Sequence, residues 1–288
     1  MPVFSRAEIV RRALDEPLLR SAYMQWRRRH FLSREGHGAC FGVFDSFAAA
    51  RAWLPRSPEF DYAALAAEYV DVRCKRIFPY DYPVMWWLAQ ALRSDSSSVL
   101  DIGGSVGVHY YAYRRYFDMP DALKWQVVDV PAIVEIGRDL AAKNAATPLS
   151  FTQHLDQAIE AASHDVWIAA GSIQYVENGY PGQLLDRCAR RPKHILLNKI
   201  PIYEGEEFVT TQNINEGAFA PLHVYNRTNF IHAIEAQGYT LWDQWEVHER
   251  SMYLPGYPQR SVPTFTGLYF VDSTAVGGRT SPLGQSKS

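Results

Sequence analysis

Cysteine is sparse in this 288-residue chain. Cys40, Cys74 and Cys188 lie far apart and form no Cys-x-x-Cys, so the sequence supplies neither a disulfide framework nor a cysteine-rich zinc site. A reducing cytoplasm is the compartment that fits such usage. Long apolar runs are missing too. The most apolar stretch, residues 83–92, is interrupted by Gln90 and is far shorter than the roughly 20 residues a bilayer demands, so no transmembrane helix is expected. The amino-terminal segment mixes Arg6, Arg11 and Arg12 with Glu8, Asp15 and Glu16 and lacks an apolar core, which is not a signal-peptide pattern. Nor is there an excess of charge of one sign. With 29 Lys+Arg against 31 Asp+Glu, the net charge of -2 offers no global attraction for nucleic acid. No collagen, coiled-coil or solenoid period is present. The histidines form no His-Glu-x-x-His and no ligand cluster, so no metal is expected.

What is present describes a folded chain. Hydrophobic residues make up 47% and charged residues 21%, and the length suits one large domain or one domain with an extension. Aromatic residues reach 14%, with 17 Tyr and 8 Trp, enough to fill a core and also to line a ligand groove. Residues 5–32 have helical apolar spacing broken at Pro17, and the basic run Arg27 to His30 reads as a solvated helix end. Helical spacing continues at 47–53, 62–70 and 83–92, leaving little strand in the first third. A polar linker, Ser94 to Ser98, then opens a different pattern. Strands are expected at 99–103, 125–130, 149–154, 165–171 and 194–201. Helices are expected at 106–117, 132–145, 156–162, 180–190 and 228–237. Such alternation implies an α/β Rossmann-like doubly wound sheet of about seven strands, mostly parallel. Residues 239–248 and 264–271 follow as strands without a helix between them, so the carboxyl-terminal strand should be antiparallel. The organisation expected is a helical extension or cap at 1–95, a ligand-binding core at 96–272 and a frayed tail at 273–288.

The segment Val99 to Gly107 reads as a buried strand, a glycine turn and a helix start. A dinucleotide fingerprint from Gly103 would need glycine at 105 and 108, and a P-loop would need glycine at 108 followed by lysine; Ser105, Val108 and His109 stand there instead. Asp101 would in addition repel a pyrophosphate. Gly103-Gly104-Ser105-Val106-Gly107 does match the nucleophile elbow of α/β-hydrolases, with Ser105 as an acyl-transfer nucleophile. That fold needs strands before the elbow and an oxyanion loop, which the first 98 residues do not show.

Asp101-x-Gly103-x-x-x-Gly107, followed 28 positions on (129 minus 101) by Asp129 at the next strand end, resembles the cofactor site of Rossmann-like methyltransferases dependent on S-adenosylmethionine. The resemblance covers residues 96–271. It implies that Asp101, Gly103, Gly104, Ser105 and Gly107 form the cofactor loop, with Asp101 suited to a sulfonium and an ammonium group. Asp129 suits the two ribose hydroxyls. Asp129-Val130-Pro131 looks like the Asp-Leu-Pro segment of small-molecule O-methyltransferases, and Asp165 to Tyr175, with Gly171 and Ser172, looks like their fourth-strand motif. Gly171 to Tyr175, Thr210 to Asn213, Val224 to Arg227 and Phe265 to Phe270 are similar to a bacterial family of methyltransferases associated with surface-polysaccharide gene clusters.

This resemblance implies S-adenosyl-L-methionine as cofactor and a hydroxyl of a sugar or other small metabolite as acceptor, with no nucleic-acid partner. Two other readings stay open: the Ser105 hydrolase, and a relative that binds the cofactor without turnover. Methyl transfer to a hydroxyl needs a proton acceptor. Candidates are His223 and Tyr175, with Glu177, Asn198 and Lys199 also at strand ends. The connection 201–227, read as non-helical and functional, adds Gln212, Asn213, Tyr225 and Asn226 as partners for a polyhydroxylated ligand. Asp156 could bond the adenine amino group or cap its helix. Tyr110, Tyr111, Tyr113 and Tyr116 are read mainly as packing residues, and Phe78, Tyr80 and Tyr82 as a lid or as packing. The helical extension could cap the site or form a homodimer.

Overall fold

A computed structural model describes residues 17–285 apart from 95, 162, 216 and 275–280. The expected helix before Pro17 lies outside these residues. After α1 (Pro17–Phe31) come β1 (Cys40–Phe44), α2 (Phe47–Trp53), α3 (Ala63–Asp71) and α4 (Tyr82–Arg93). The core follows as β2 (Ser98–Ile102), α5 (Val108–Tyr113), β3 (Lys124–Val128), α6 (Pro131–Lys143), β4 (Leu149–Thr152) and α7 (Leu155–Ala161). It continues with β5 (Val166–Ala170), α8 (Pro181–Asp186), β6 (His194–Ile200), β7 (Ile202–Tyr203), β8 (Phe208–Asn215) and β9 (Ala218–Asn226). Last come α9 (Arg227–Glu235), β10 (Tyr239–Val247) and β11 (Phe265–Asp272).

The large sheet has the order β10-β11-β6-β5-β2-β3-β4. Strands β2 to β6 run parallel, and β11 is antiparallel to both β6 and β10. This is a doubly wound, Rossmann-like arrangement, with the antiparallel carboxyl-terminal strand where the sequence pattern places it. Both faces are covered. Val99, Val166, Ile168 and Leu196 pack on one side with Leu88 of α4 and Tyr113 of α5. Their neighbours Leu100, Trp167, Ile195 and Leu197 pack on the other with Ile159, Leu184 and Phe230. The two-residue period of a strand splits each apolar run between two helical layers, which is why these strands read as continuous hydrophobic segments. Helix α4 serves the first layer because Val84, Met85, Leu88, Ala91 and Leu92 fall on one helical face.

A second sheet, β1-β8-β9-β7, was not legible as such in the pattern. The connection 201–227 is a long antiparallel hairpin, β8 with β9, and β1 from the first third adds to its edge. The segment at 1–95 is therefore not helical throughout, and its strand is hydrogen-bonded to the segment at 96–272. Buried Thr210 and Thr211 reinforce the junction, the Thr211 hydroxyl donating to the Phe41 carbonyl at 2.6 Å. Phe31 at the end of α1 closes an aromatic cluster with Phe41, Trp53 and Phe219 at ring separations of 5.3–5.9 Å. Some of the tail expected to fray is engaged, since Ser281 donates its hydroxyl to the Trp242 carbonyl at 2.9 Å. Among the described residues no helix is long and apolar enough to cross a membrane.

Phe31 is 1% exposed, so Phe31→Ala should cost about 3–5 kcal/mol of unfolding free energy. Chemical denaturation measures this; a loss below about 1 kcal/mol would mean that α1 is a loosely attached cap.

Candidate functional site

The glycine turn leaves the carboxyl end of β2, the central parallel strand, where open α/β sheets bind ligands. Three left-handed residues shape it: Gly103 at φ 68°, Ser105 at φ 54° and Gly107 at φ 92°. A side chain on Gly103 would collide with Ser172 across the strand ends, and one on Gly104 would overlap the Asp101 carboxylate. Asp101 itself is fully buried and lines no cavity at this turn. Its oxygens accept from His109 Nδ1 at 2.9 and 3.0 Å and from Trp125 Nε1 at 3.2 Å. The direct ligand contact expected of Asp101 is thus replaced by support from beneath: the carboxylate holds the first turn of α5 and the start of β3 against the loop. Gly107 likewise lines no cavity. It caps α5 with a backbone that a Cβ would strain.

Two cavities meet at the turn. The larger, about 550 Å3, is lined by Gly103, Ser105, Asp129, Val130, Gly171, Ser172 and apolar side chains including Ile102, Val128, Ile133 and Leu155. Its charged lining residues are Glu59, Asp61 and Asp129, with no lysine or arginine. Asp129 accepts the amides of Ser105 and Val130, each at 2.8 Å, one on each oxygen. Each oxygen keeps a second acceptor position. Burial is the main cause that pushes the carboxyl up to about 6, against the lowering effect of those two amides.

The second cavity, about 240 Å3, shares Phe60, Tyr69, Gly103, Ser105, Gly171 and Tyr175 with the first and extends over Gly104 and His109. Its other walls come from α3 and the turn after it (Glu68, Arg73, Arg76, Phe78), from β6 (Lys199) and from β8 (Gln212, Asn213). Lys199 has φ 57° at the end of its strand and places its ammonium 4.9 Å from the Tyr80 ring. Burial chiefly, reinforced by Arg73 and Arg250, brings its pKa down to about 8. Phe78, from the expected lid, stacks on Tyr80 and carries the guanidinium of Arg73 at 4.6 Å. Tyr80 is buried, whereas Tyr82 is 56% exposed.

The remaining candidates divide sharply. Tyr175 lines both cavities, and its hydroxyl donates to Gln212 Oε1. Burial raises its pKa, so it is protonated near neutral pH and acts as a donor rather than a base. His223 is corrected: it sits on β9, pairs with Glu207 at 3.2 Å, packs on Tyr225 at 4.3 Å and lines neither cavity. Its connection is a regular strand, so it does not reach the glycine turn. Asp156 is corrected as well, because its carboxylate is bound at the surface by Arg187 and the cavity wall there is its neighbours Gln153 and Leu155. Glu177 pairs with Arg51 at 2.5 Å. Asn198 is structural, donating to the Tyr80 carbonyl at 2.9 Å and accepting from Trp245 Nε1 at 3.1 Å. Tyr225 and Asn226 line neither cavity; Tyr113 lines the smaller one, while Tyr116 is exposed.

The hydrolase reading of Ser105 fails on topology. In that fold several strands precede the elbow, but here β2 is the first strand of the large sheet. The Ser105 hydroxyl has no hydrogen-bond partner, and its amide is held by Asp129. Sequence reasoning missed His109, Arg73, Arg76 and Arg250. His109 carried a signal, lying in the first turn of the helix that follows the glycine loop; the arginines carried none. Among the described residues no group of three or more His, Cys, Asp or Glu is arranged to hold a metal ion.

No family model matches the chain, and no curated protein does. Solved structures do resemble it in shape. The N-terminal domain of EvdMO1 with S-adenosylhomocysteine bound is 12% identical, covering 68% of this chain and 82% of that one at a TM-score of 0.45. The 1,6-didemethyltoxoflavin-N1-methyltransferase of Burkholderia thailandensis is 15% identical, covering 76% and 92% at 0.43. The magnesium protoporphyrin IX methyltransferase of Synechocystis PCC 6803 is 13% identical, covering 95% and 100% at 0.45. The fold assignment itself rests on the strand order described above.

Because the Asp101 carboxylate is pinned by two buried donors, it cannot yield to a Cβ at position 104. Gly104→Ala should therefore cost about 1–3 kcal/mol, read by thermal or urea unfolding, and should weaken ligand binding at the turn. An unchanged midpoint would show that the turn relaxes freely.

Proposed function

We propose that the protein is an S-adenosylmethionine-dependent methyltransferase acting on a hydroxyl of a sugar or other small metabolite. The observation that carries this is Asp129: a strand-end carboxylate, anchored by two amides yet retaining two acceptor positions, at the wall of a cavity lined by no cation. That arrangement suits two ribose hydroxyls, and the lining offers no cation to a phosphate. The left-handed turn and the orphaned Ser105 hydroxyl at the junction of the cavities fit the same ligand. When bound, the cofactor supplies an electrophilic methyl group on sulfonium. The chain's own residues align the acceptor and exclude water.

The acceptor's proton goes to His109 in this reading. Asp101 holds Nδ1, which fixes the tautomer and leaves Nε2 as the basic atom of a side chain lining the smaller cavity. Tyr175, protonated, serves as a hydrogen-bond donor. A cytoplasmic setting rests on the cysteine usage and a link to polysaccharide assembly on the sequence resemblance, and a homodimer through the amino-terminal helices remains an expectation of the same kind.

Calorimetric titration with S-adenosylhomocysteine tests the core of the reading, and no heat at millimolar ligand would sink it. The pH dependence is specific. Ribose hydroxyls require ionised Asp129, so affinity should fall about tenfold per pH unit below about 6 and level off above it. Asp129→Asn should weaken binding and abolish that slope. Stability of the free protein runs the other way: a carboxyl raised from 3.8 to about 6 contributes stability fully at pH below 3.8, and this is lost as pH rises through 6.

A further inference from the structure

Building on the methyltransferase reading, we propose that the acceptor is a polyhydroxylated anion, a sugar-like molecule bearing a phosphate or carboxylate, held in the smaller cavity. Arg76, Lys199 and Arg250 bind its charge, and Gln174 Oε1 and Asn213 Oδ1 accept from its hydroxyls. The two cavities differ in charge. The larger is walled by three carboxylates and no cation, whereas the smaller is lined by Arg73, Arg76, Lys199 and Arg250 against Glu68 and Asp81. Asp81 is already committed, accepting from the Phe78 amide at 2.8 Å and the Tyr113 hydroxyl at 3.3 Å.

None of these four cations forms an ion pair among the described residues, whereas Arg51, Arg187, Arg190 and Arg260 elsewhere all do. Arg73 and Arg76 lie over the Phe78 ring at 4.6 and 5.1 Å, and Lys199 lies over Tyr80. Aromatic faces orient a cation without neutralising it. Arg73 and Arg250 both act to lower the pKa of Lys199, against the raising effect of Asp81, so the like charges feel one another. The methyl donor does not relieve this, since it carries two positive centres and one carboxylate. An anionic acceptor does.

The polar groups without partners define the rest of the ligand. Asn213 is fully buried and donates through Nδ2 to the carbonyls of Phe31 at 2.6 Å and Ser33 at 2.9 Å. Those two bonds set the amide's orientation and leave Oδ1 as the free end. Gln174, also buried, donates through Nε2 to the Lys199 carbonyl, and its Oε1 is likewise without a partner. Two buried acceptors at a cavity wall call for donors from the ligand, which hydroxyls supply and a bare inorganic anion does not.

The test uses the full chain in buffers of constant ionic strength set with sodium chloride, with S-adenosylhomocysteine binding measured first. Inorganic pyrophosphate should then raise the melting temperature of the liganded protein. Its apparent Kd should weaken about tenfold or more in Arg76→Gln/Arg250→Gln and in Lys199→Gln. Glucose 6-phosphate and glucuronate, titrated against neutral glucose, separate the two sources of charge, and at least one should bind about tenfold tighter than glucose. Arg76 and Arg250 are exposed, and circular dichroism checks that the variants fold. The proposal is overturned if pyrophosphate gives no shift, if the double variant shifts equally, or if glucose matches both anions. Failure of S-adenosylhomocysteine to bind overturns the methyltransferase reading, and with it the acceptor role of the cavity. Binding of S-adenosylhomocysteine without any anion effect overturns the present inference alone.

Discussion

A carboxylate with no solvent contact sits beneath the glycine turn, and much of the site is arranged around keeping it satisfied. An isolated charge at that depth is prohibitively costly, so Asp101 needs donors from its surroundings. His109 and Trp125 supply them, one from the helix that follows the turn and one from the neighbouring strand. The geometry of the turn follows from this arrangement. Gly104 has no side chain because the carboxylate occupies that space, and α5 starts where its second residue can reach back to β2. Within the loop the Gly103 amide donates to the Val128 carbonyl and the Gly107 amide to the Gly104 carbonyl, and the Ser105 amide meets Asp129.

A second constraint comes from the small sheet. Its strands bring Gln212 and Asn213 to the same cavity as the glycine turn, and the turn after α3 brings Arg73, Arg76 and Phe78. The helical first third and the hairpin are therefore walls of the site as well as coverings. Charge is sorted along with position, carboxylates around one cavity and cations around the other. Near-neutral composition conceals this, because the two local excesses cancel in the sum.

The core strands lay within one or two residues of where the apolar pattern put them, since strands buried on both faces read as unbroken hydrophobic runs. Gly103, Ser105, Asp129, Gly171 and Tyr175 all line the cavity because strand ends of an α/β sheet converge, and among them Asp129 and Gly171 were singled out by the motif resemblance rather than by spacing. The hairpin was not legible. Its buried Thr210, Thr211 and Asn213 are polar, and they are satisfied by carbonyls more than 160 residues away, which no local pattern records. His223 was misplaced for the same reason: a histidine in an apparently irregular connection is in fact fixed on a strand beside Glu207. The four cations of the smaller cavity come from three distant parts of the chain, the turn after α3, the end of β6 and the segment after β10, so only the assembled fold brings them together.

The pairing of β1 with β8 has a temporal consequence. Thr211 bonds to Phe41 across a sequence separation of 170 residues. Contacts of such separation form late, because the loop must close before any contact rewards it. During synthesis from the amino terminus, the parallel strands β2 to β6 emerge before β8. Phe31, Phe41 and Trp53 stay without their partner Phe219 until at least 166 further residues after Trp53 (219 minus 53) have left the ribosome. For that interval the nascent chain carries an unpaired strand edge and three uncovered aromatic rings, the features that molecular chaperones bind.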